Sequence, residues 1–229
     1  MYSSVVRLQN TFGFFTTVAF VVAAFVSLSD FLSPRTPTVN LLKPTSLQVV
    51  NGRPHYYSPV QQYGIIKFSL DADLSSLFTW NTKQVFVYIT AEWPSLDSQN
   101  NTNQAVIWDK IITAPSSDHL AKYGPIERKK LKKAAVGKPI DPSRGKLVLK
   151  NQRYKYQITH PSGKIASQED IVLKLHYNVQ PWVGLLTWNQ EQTWGKWEAL
   201  KGATSKKFKL PAVKKKDEGK KTTKSNSRA

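Results

Sequence analysis

Four histidines, His55, His119, His160 and His176, are the side chains in this 229-residue chain best suited to acid–base work or metal binding. They stand apart. No His-Glu-x-x-His spacing puts two ligands on one helix face, so neither a metal site nor a cofactor is expected. The chain has no cysteine, which excludes a thiolate nucleophile, a thiolate metal site and a disulfide framework. Gly-x-Ser-x-Gly, Gly-x-x-x-x-Gly-Lys and Gly-x-Gly-x-x-Gly motifs are also missing, so no nucleophile elbow or phosphate-cradling loop can be placed. A serine paired with a distant lysine or histidine could assemble in space, but with so many serines and lysines that idea has no specificity. Glu92 and Asp109 each follow an apolar stretch and could share a site. Two carboxylates do general acid–base work only when their surroundings separate their pKa values. An ion pair with a lysine such as Lys83 or Lys110 is the commoner role, and His176 reads as an exposed or capping strand residue. Trp182, Trp188, Trp194 and Trp197 could stack on sugar rings, form an interfacial belt at a membrane, or pack at the core and rim of a β-domain.

The elements that would position these residues have a two-residue period. In Gln84 to Trp93, Val85, Val87, Ile89 and Ala91 share one face, while Phe86, Tyr88, Thr90 and Glu92 share the other. In Asp170 to Asn178, Ile171, Leu173, Leu175 and Tyr177 form an equally apolar face. Ile66, Phe68 and Leu70 repeat the pattern, with weaker copies at Ala105 to Ile112, Lys146 to Asn151 and Tyr154 to Ile158. Turn-forming residues lie between them, at Asn51-Gly52, Pro94 to Asn103, Pro142 to Gly145 and Ser162-Gly163. Short strands separated by turns predict an antiparallel β-sandwich, so the fold class is mainly β. Asp73 to Phe78 could make one helical turn, and Ser116 to Ala135 could hold a basic helix.

No charged residue lies between Arg7 and Asp30, and Phe12 to Leu28 reads FGFFTTVAFVVAAFVSL. A helix needs about 20 apolar residues to cross a hydrocarbon core, and Leu8 to Ser29 meets that length. A cleaved signal peptide is the rival reading, but its apolar region is usually about 7–15 residues, so an uncleaved anchor is expected. Arg7 on one side and Arg35 and Lys43 on the other leave the orientation undecided by charge. Ala19, Ala23 and Ser27 recur every fourth residue and form a small-residue stripe on which another helix could pack.

The formal net charge of +18 is unevenly placed. Ala114 to Lys146 carries nine Lys and Arg against three acids, and Lys206 to Ala229 carries ten against two. The tail cannot bury a core and should be disordered. Both blocks suit polyanions, nucleic acid among them, but across a membrane the targets become acidic protein surfaces and anionic lipid, and a solvated tail that only aids solubility is favoured over a specific binding role. With 40% hydrophobic and 11% aromatic residues, the rest of the chain can fold. The expected organisation is a short N-terminus at 1–10, an anchor at 11–29, one β-domain at 30–205 with a basic insertion at 114–146, and a tail at 206–229. Asn100-Asn101-Thr102 is the one N-glycosylation pattern, with Asn100 the acceptor in a turn-rich loop.

Two blocks carry a family resemblance. Leu77-Phe78-Thr79-Trp80-Asn81-Thr82-Lys83-Gln84-Val85-Phe86-Val87-Tyr88 with Ala91-Glu92-Trp93, and Asn103-Gln104-Ala105-Val106-Ile107-Trp108-Asp109-Lys110-Ile111-Ile112, resemble the 22/23 kDa subunit family, subunit 3, of the eukaryotic signal peptidase complex. Within them Trp80, Asn81, Lys83, Gln84, Glu92, Trp108, Asp109 and Lys110 carry the motif. The resemblance covers most of residues 1–112 and 146–190; the basic block looks like an insertion and the lysine tail is a further departure. It implies a single-pass (type II) protein of the endoplasmic reticulum membrane with a lumenal sandwich. It also implies a non-catalytic role, supporting and positioning the separate serine peptidase subunit among the other subunits and membrane lipids while signal peptides are removed, with no nucleic acid partner. The alternatives are a membrane-tethered lumenal module that binds carbohydrate or protein, and a basic nucleic-acid binder whose apolar N-terminus is incidental.

Overall fold

The computed structural model describes residues 3–95, 101–114, 145–193 and 196–213. Its first element, α1 (Ser4–Leu32), is a 29-residue helix. The Ser3 hydroxyl accepts the Val6 N–H at 3.4 Å and caps its start. Its end is set by Pro34, whose ring disfavours a helical conformation at Ser33, and Ser33 is extended at φ −67°, ψ 129°. The helix therefore outruns the expected anchor at both ends. Its most apolar window has a mean hydropathy of 2.0, and none of that window is buried by the rest of the chain. Thr11, Thr16 and Thr17 donate their hydroxyls to the carbonyls of Arg7, Gly13 and Gly13 at 2.9, 2.8 and 3.0 Å. These bonds satisfy polar groups that lipid could not. By length and composition α1 can cross a membrane.

The rest is mainly β. The strands are β1 (Thr38–Gly52), β2 (Gln61–Asp73), β3 (Thr82–Pro94), β4 (Thr102–Thr113), β5 (Lys146–Gln152), β6 (Val172–Pro181), β7 (Thr187–Trp188), β8 (Gln190–Thr193) and β9 (Lys196–Ala199). One sheet has the order β1-β2-β5 and a second β4-β3-β6-β7, while β8 and β9 form a ribbon. Every pairing is antiparallel. The inner faces of the two larger sheets supply one core, with Ile66, Phe68 and Leu70 from β2 against Val85, Val87 and Ile89 from β3 and Leu173, Leu175 and Tyr177 from β6. The expected antiparallel sandwich is present, and its core faces are the ones that the alternation marked.

Between β2 and β3 the chain makes a single 3-10 turn, Ser75–Leu77, within the segment expected to be helical. The Asp73 carboxylate accepts the Ser75 N–H at 2.9 Å, and its hydrogen bonds with Ser75 hold its pKa below the ordinary value. Gly145 enters β5 against this turn so closely that a Cβ there would lie 2.4 Å from the Ser75 nitrogen, leaving room for glycine alone.

Several expectations need correction. Tyr154 to Ile158 is not a strand. Only Ile158 makes a bridge, to Gly64, while the N–H groups of Lys155 and Tyr156 both turn to the Ile107 carbonyl. Asn51-Gly52 is not a turn but the end of β1, paired with Gln62 and Gln61. β1 itself, polar and interrupted by Pro44, is an edge strand with register shifts at Val39/Leu41 and Pro44/Ser46. An edge tolerates a proline because one side of the strand needs no partner. The possible helix at Ser116 to Ala135, nearly all of the basic insertion, Asn100 and most of the tail lie outside the described residues.

Candidate functional site

Among the described residues, a cluster of buried polar side chains joins α1 to the sandwich. Asp30, in the last turn of α1, and Arg35, just beyond it, are 4% and 2% exposed. The Arg35 Nη2 donates to both Asp30 carboxylate oxygens at 2.8 Å. Its Nη1 donates to Thr187 Oγ1 in β7 at 3.3 Å, and Thr79 Oγ1 donates to Asp30 Oδ1 at 3.2 Å. Thr79 is in turn held by Thr82, whose hydroxyl accepts the Thr79 N–H at 3.1 Å and donates to the Leu77 carbonyl at 2.8 Å. One ion pair therefore ties the helix to the starts of β3 and β7.

Asn81 fixes the loop between β6 and β7. Its Nδ2 donates to the Val183 carbonyl at 2.7 Å, its Oδ1 accepts the Val183 N–H at 3.2 Å, and its backbone carbonyl accepts the Trp182 N–H at 2.8 Å. An asparagine supplies a donor and an acceptor in one plane, which is what a peptide unit needs. Lys83 places its ammonium 5.3 Å from the Trp182 ring centre. Gln84 donates to Gln180 across the β3–β6 pair. The loop then meets α1 at Gly184, where φ is +131° and a Cβ would come 3.1 Å from the Ser27 hydroxyl. Ser27 is half-buried by that approach, Ala23 is partly covered and Ala19 is exposed.

Trp80 stands out at 60% exposure beside Asn81, and Leu185 at 71% beside Gly184. Trp182 and Trp188 are exposed as well, so neither belongs to the core. Trp194 lies outside the described residues, as does the Trp197 side chain.

The other motif residues have structural partners. Trp108 is buried edge-on against Phe68, with ring centres 5.7 Å apart. Glu92 pairs with Lys174 and accepts from Gln104 at 3.3 Å, while Asp109 lies 3.3 Å from Lys155. These partners replace Lys83 and Lys110 as the counter-charges. The Tyr156 phenol, hydrogen-bonded to Asp109, is held above its ordinary pKa. Glu92 and Asp109 do not share a site: Asp109 faces Tyr88 in the β3–β4 register and Glu92 faces Gln104. Four residues of strand set these positions roughly 13 Å apart. Lys110 is exposed on β4.

His176 is half-buried rather than exposed, stacked on Tyr88 at 5.0 Å, with Nε2 2.9 Å from Thr90 Oγ1 and Nδ1 2.7 Å from Asn189 Nδ2. Burial lowers its pKa, against the opposing pull of Glu92. His160 lies 2.7 Å from the Ser162 hydroxyl and also accepts the Ser162 N–H at 3.1 Å, so this serine–histidine contact closes the turn at Gly163. Among the described residues no cluster of His, Asp and Glu could hold a metal ion. The arrangement joins the end of a helix and a loop to the edge of one sheet.

The alternation of apolar residues gave no hint of the Asp30–Arg35 pair or of Thr79 and Thr187. The available signal was that Asp30 is the first charge after the apolar run and that Arg35 follows it closely in sequence.

Comparisons with known proteins fit this picture. A family model described as "Signal peptidase subunit" matches residues 1–130 and 140–199. "Signal peptidase complex subunit 3" of Debaryomyces hansenii is 33% identical over 207 residues, 83% of this chain and 90% of the relative. The protein so named in Saccharomyces cerevisiae is 42% identical over 125 residues, 55% of this chain and 52% of that one. The human protein of the same name is 29% identical over 123 residues, 54% and 52% of the two chains. The chain thus spans about half the length of the Saccharomyces and human relatives and most of the Debaryomyces one.

Proposed function

The chain belongs to the signal peptidase subunit family, and from that membership we propose that it is a non-catalytic subunit of the endoplasmic reticulum signal peptidase complex. α1 spans the membrane once, with the short N-terminus in the cytosol and the sandwich in the lumen. The sandwich supports and positions the serine peptidase carried by another subunit. The observation that carries this reading is the buried Asp30–Arg35 pair with its threonine shell, because it fixes the β-body relative to the anchor. A body that only needed tethering would be served by a loose linker, whereas one that orients an enzyme at the bilayer needs a rigid joint.

Support for the non-catalytic part comes from the residues themselves. Glu92, Asp109 and His176 are each engaged in ion pairs, stacking or hydrogen bonds between strands, and the two carboxylates are apart. Ala19 and Ala23 offer a partner helix a close approach, with Ser27 already used by the Gly184 loop. A lumenal sandwich would also expose Asn100 to glycosylation. The sugar-binding alternative is weakened because two of its tryptophans, Trp182 and Trp188, belong to the loop and strand beside the joint.

Depletion tests the proposal. Loss of this chain should impair signal-peptide cleavage by the remaining complex, and restoring it should recover cleavage; undiminished cleavage after depletion would refute the role. In sealed microsomes the sandwich should resist added protease until detergent opens the vesicle, and digestion before that would reverse the topology.

A further inference from the structure

We propose that the β6–β7 loop, 182–186, is itself a membrane-seating element, with Leu185 and Leu186 inserted at the boundary between headgroups and acyl chains and the tryptophans beside it lying at headgroup level. The inference rests on the reading that α1 spans the bilayer, and goes beyond it by assigning lipid as the occupant of a second surface.

Depth carries the argument. At about 1.5 Å per residue a helix of this length extends about 44 Å, close to the ~40–45 Å of a bilayer with its headgroups. The backbone of Gly184 meets α1 at Ser27, inside the uncharged stretch and five residues before the helix ends at Leu32. Five residues correspond to roughly 7 Å, about the thickness of one headgroup layer. The loop is therefore pinned to the helix where hydrocarbon gives way to headgroups.

Chemistry agrees with depth. Leu185 and Leu186 are 71% and 47% exposed, and Val183, Trp182, Trp188 and Trp80 are exposed around them. So many large apolar side chains on one edge of a folded body mark an interaction surface. Tryptophans are favoured at the membrane interface, and a lysine stacked on one, as Lys83 is on Trp182, keeps its ammonium with water and phosphate. The charges that lie just beyond this level, Asp30 and Arg35, are buried against each other inside the protein and are not presented to the loop's apolar surface.

The absence of cysteine makes the test direct, since one introduced thiol carries one environment-sensitive fluorophore. Full-length chain is reconstituted in phosphatidylcholine vesicles, with acyl-chain nitroxide lipids as quenchers. Labels are placed by Leu185→Cys in the loop, Phe20→Cys in the span and Tyr57→Cys at the β1–β2 tip, which is 95% exposed. The expected result is a blue-shifted emission and about a two-fold quenching at 185 by nitroxides near the headgroups, strong quenching at 20 and none at 57. Water-like, unquenched emission at 185 with quenching at 20 would overturn the loop proposal and leave the span intact. Unquenched emission at 20 would instead sink the spanning reading. Shielding at 185 that appears only when the other complex subunits are added would assign the surface to a protein and also overturn the proposal.

Discussion

The sandwich interior and the joint beneath it are both buried, but they are stabilised in opposite ways. In the interior, Val85, Val87, Ile89 and Ala91 face Ile66, Phe68 and Leu70 through many weak contacts, none of them indispensable. At the joint one guanidinium and one carboxylate form the centre of the attachment, with the threonines Thr79, Thr82 and Thr187 around them and the Gly184 loop packed on Ser27 beside them. Dispersed contacts lose stability in proportion to the atoms removed. A concentrated charge pair is close to all-or-none, because removing either member leaves the other charged and out of water.

Three experiments on full-length chain in detergent micelles would break or sharpen that contrast. The largest effect is expected from Arg35→Met, which leaves Asp30 without its buried counter-charge and should cost about 3–5 kcal/mol in denaturant unfolding. The double change with Asp30→Leu should recover most of the loss, because the pair is incompletely compensated: the buried Arg35 Nε has no hydrogen-bond partner among the described residues. An undiminished loss in the double variant would mean that the pair itself, and not the stranded charge, supplies the stability. Next, Leu175→Ala in the core should cost about 2–4 kcal/mol by cavity formation. If it cost much more than Arg35→Met, the interior and not the joint would be the sensitive region. The smallest effect is expected from pH. His176 is held below its ordinary pKa by burial, so its contribution is full above the unfolded value near 6.5 and declines as pH falls below it, when the unfolded chain takes up the proton first. The slope of stability between about pH 6.5 and 5 should flatten in His176→Gln. A slope that persists unchanged would place the titration elsewhere.

The same contrast explains what the amino-acid order disclosed. Leu173, Leu175 and Tyr177 announce a buried face by alternation alone, because the pleat converts period two directly into inside and outside. The helix was equally plain, since lipid demands an unbroken apolar run. β1 was hidden, because an edge strand with Pro44 and two register shifts has no clean alternation. The joint was hidden for another reason. Asp30 and Thr187 are 157 positions apart in sequence yet share Arg35, and no local pattern encodes a contact made when the end of α1 docks on the sheet that carries β3 and β7. Asn81 was visible as part of a motif, but its work, clamping the peptide at Val183, required the fold.

Only Thr36 and Pro37 separate the anchored Arg35 from the first residue of β1. The hairpin that follows, stiffened by thirteen register pairs from Thr38↔Asp73 to Gly52↔Gln61, spans about 50 Å at full extension. Held to β5 and, through Gln62 and Gly64, to Gly163 and Ile158, the hairpin is part of the sandwich and turns with it about the joint. With α1 in a bilayer as proposed and the joint holding, a tilt of the helix by about 10°, well within the range that transmembrane helices adopt as bilayer thickness changes, would swing the Tyr56–Tyr57 tip by about 9 Å. A change in lipid composition could thus be felt as a displacement at the end of the hairpin.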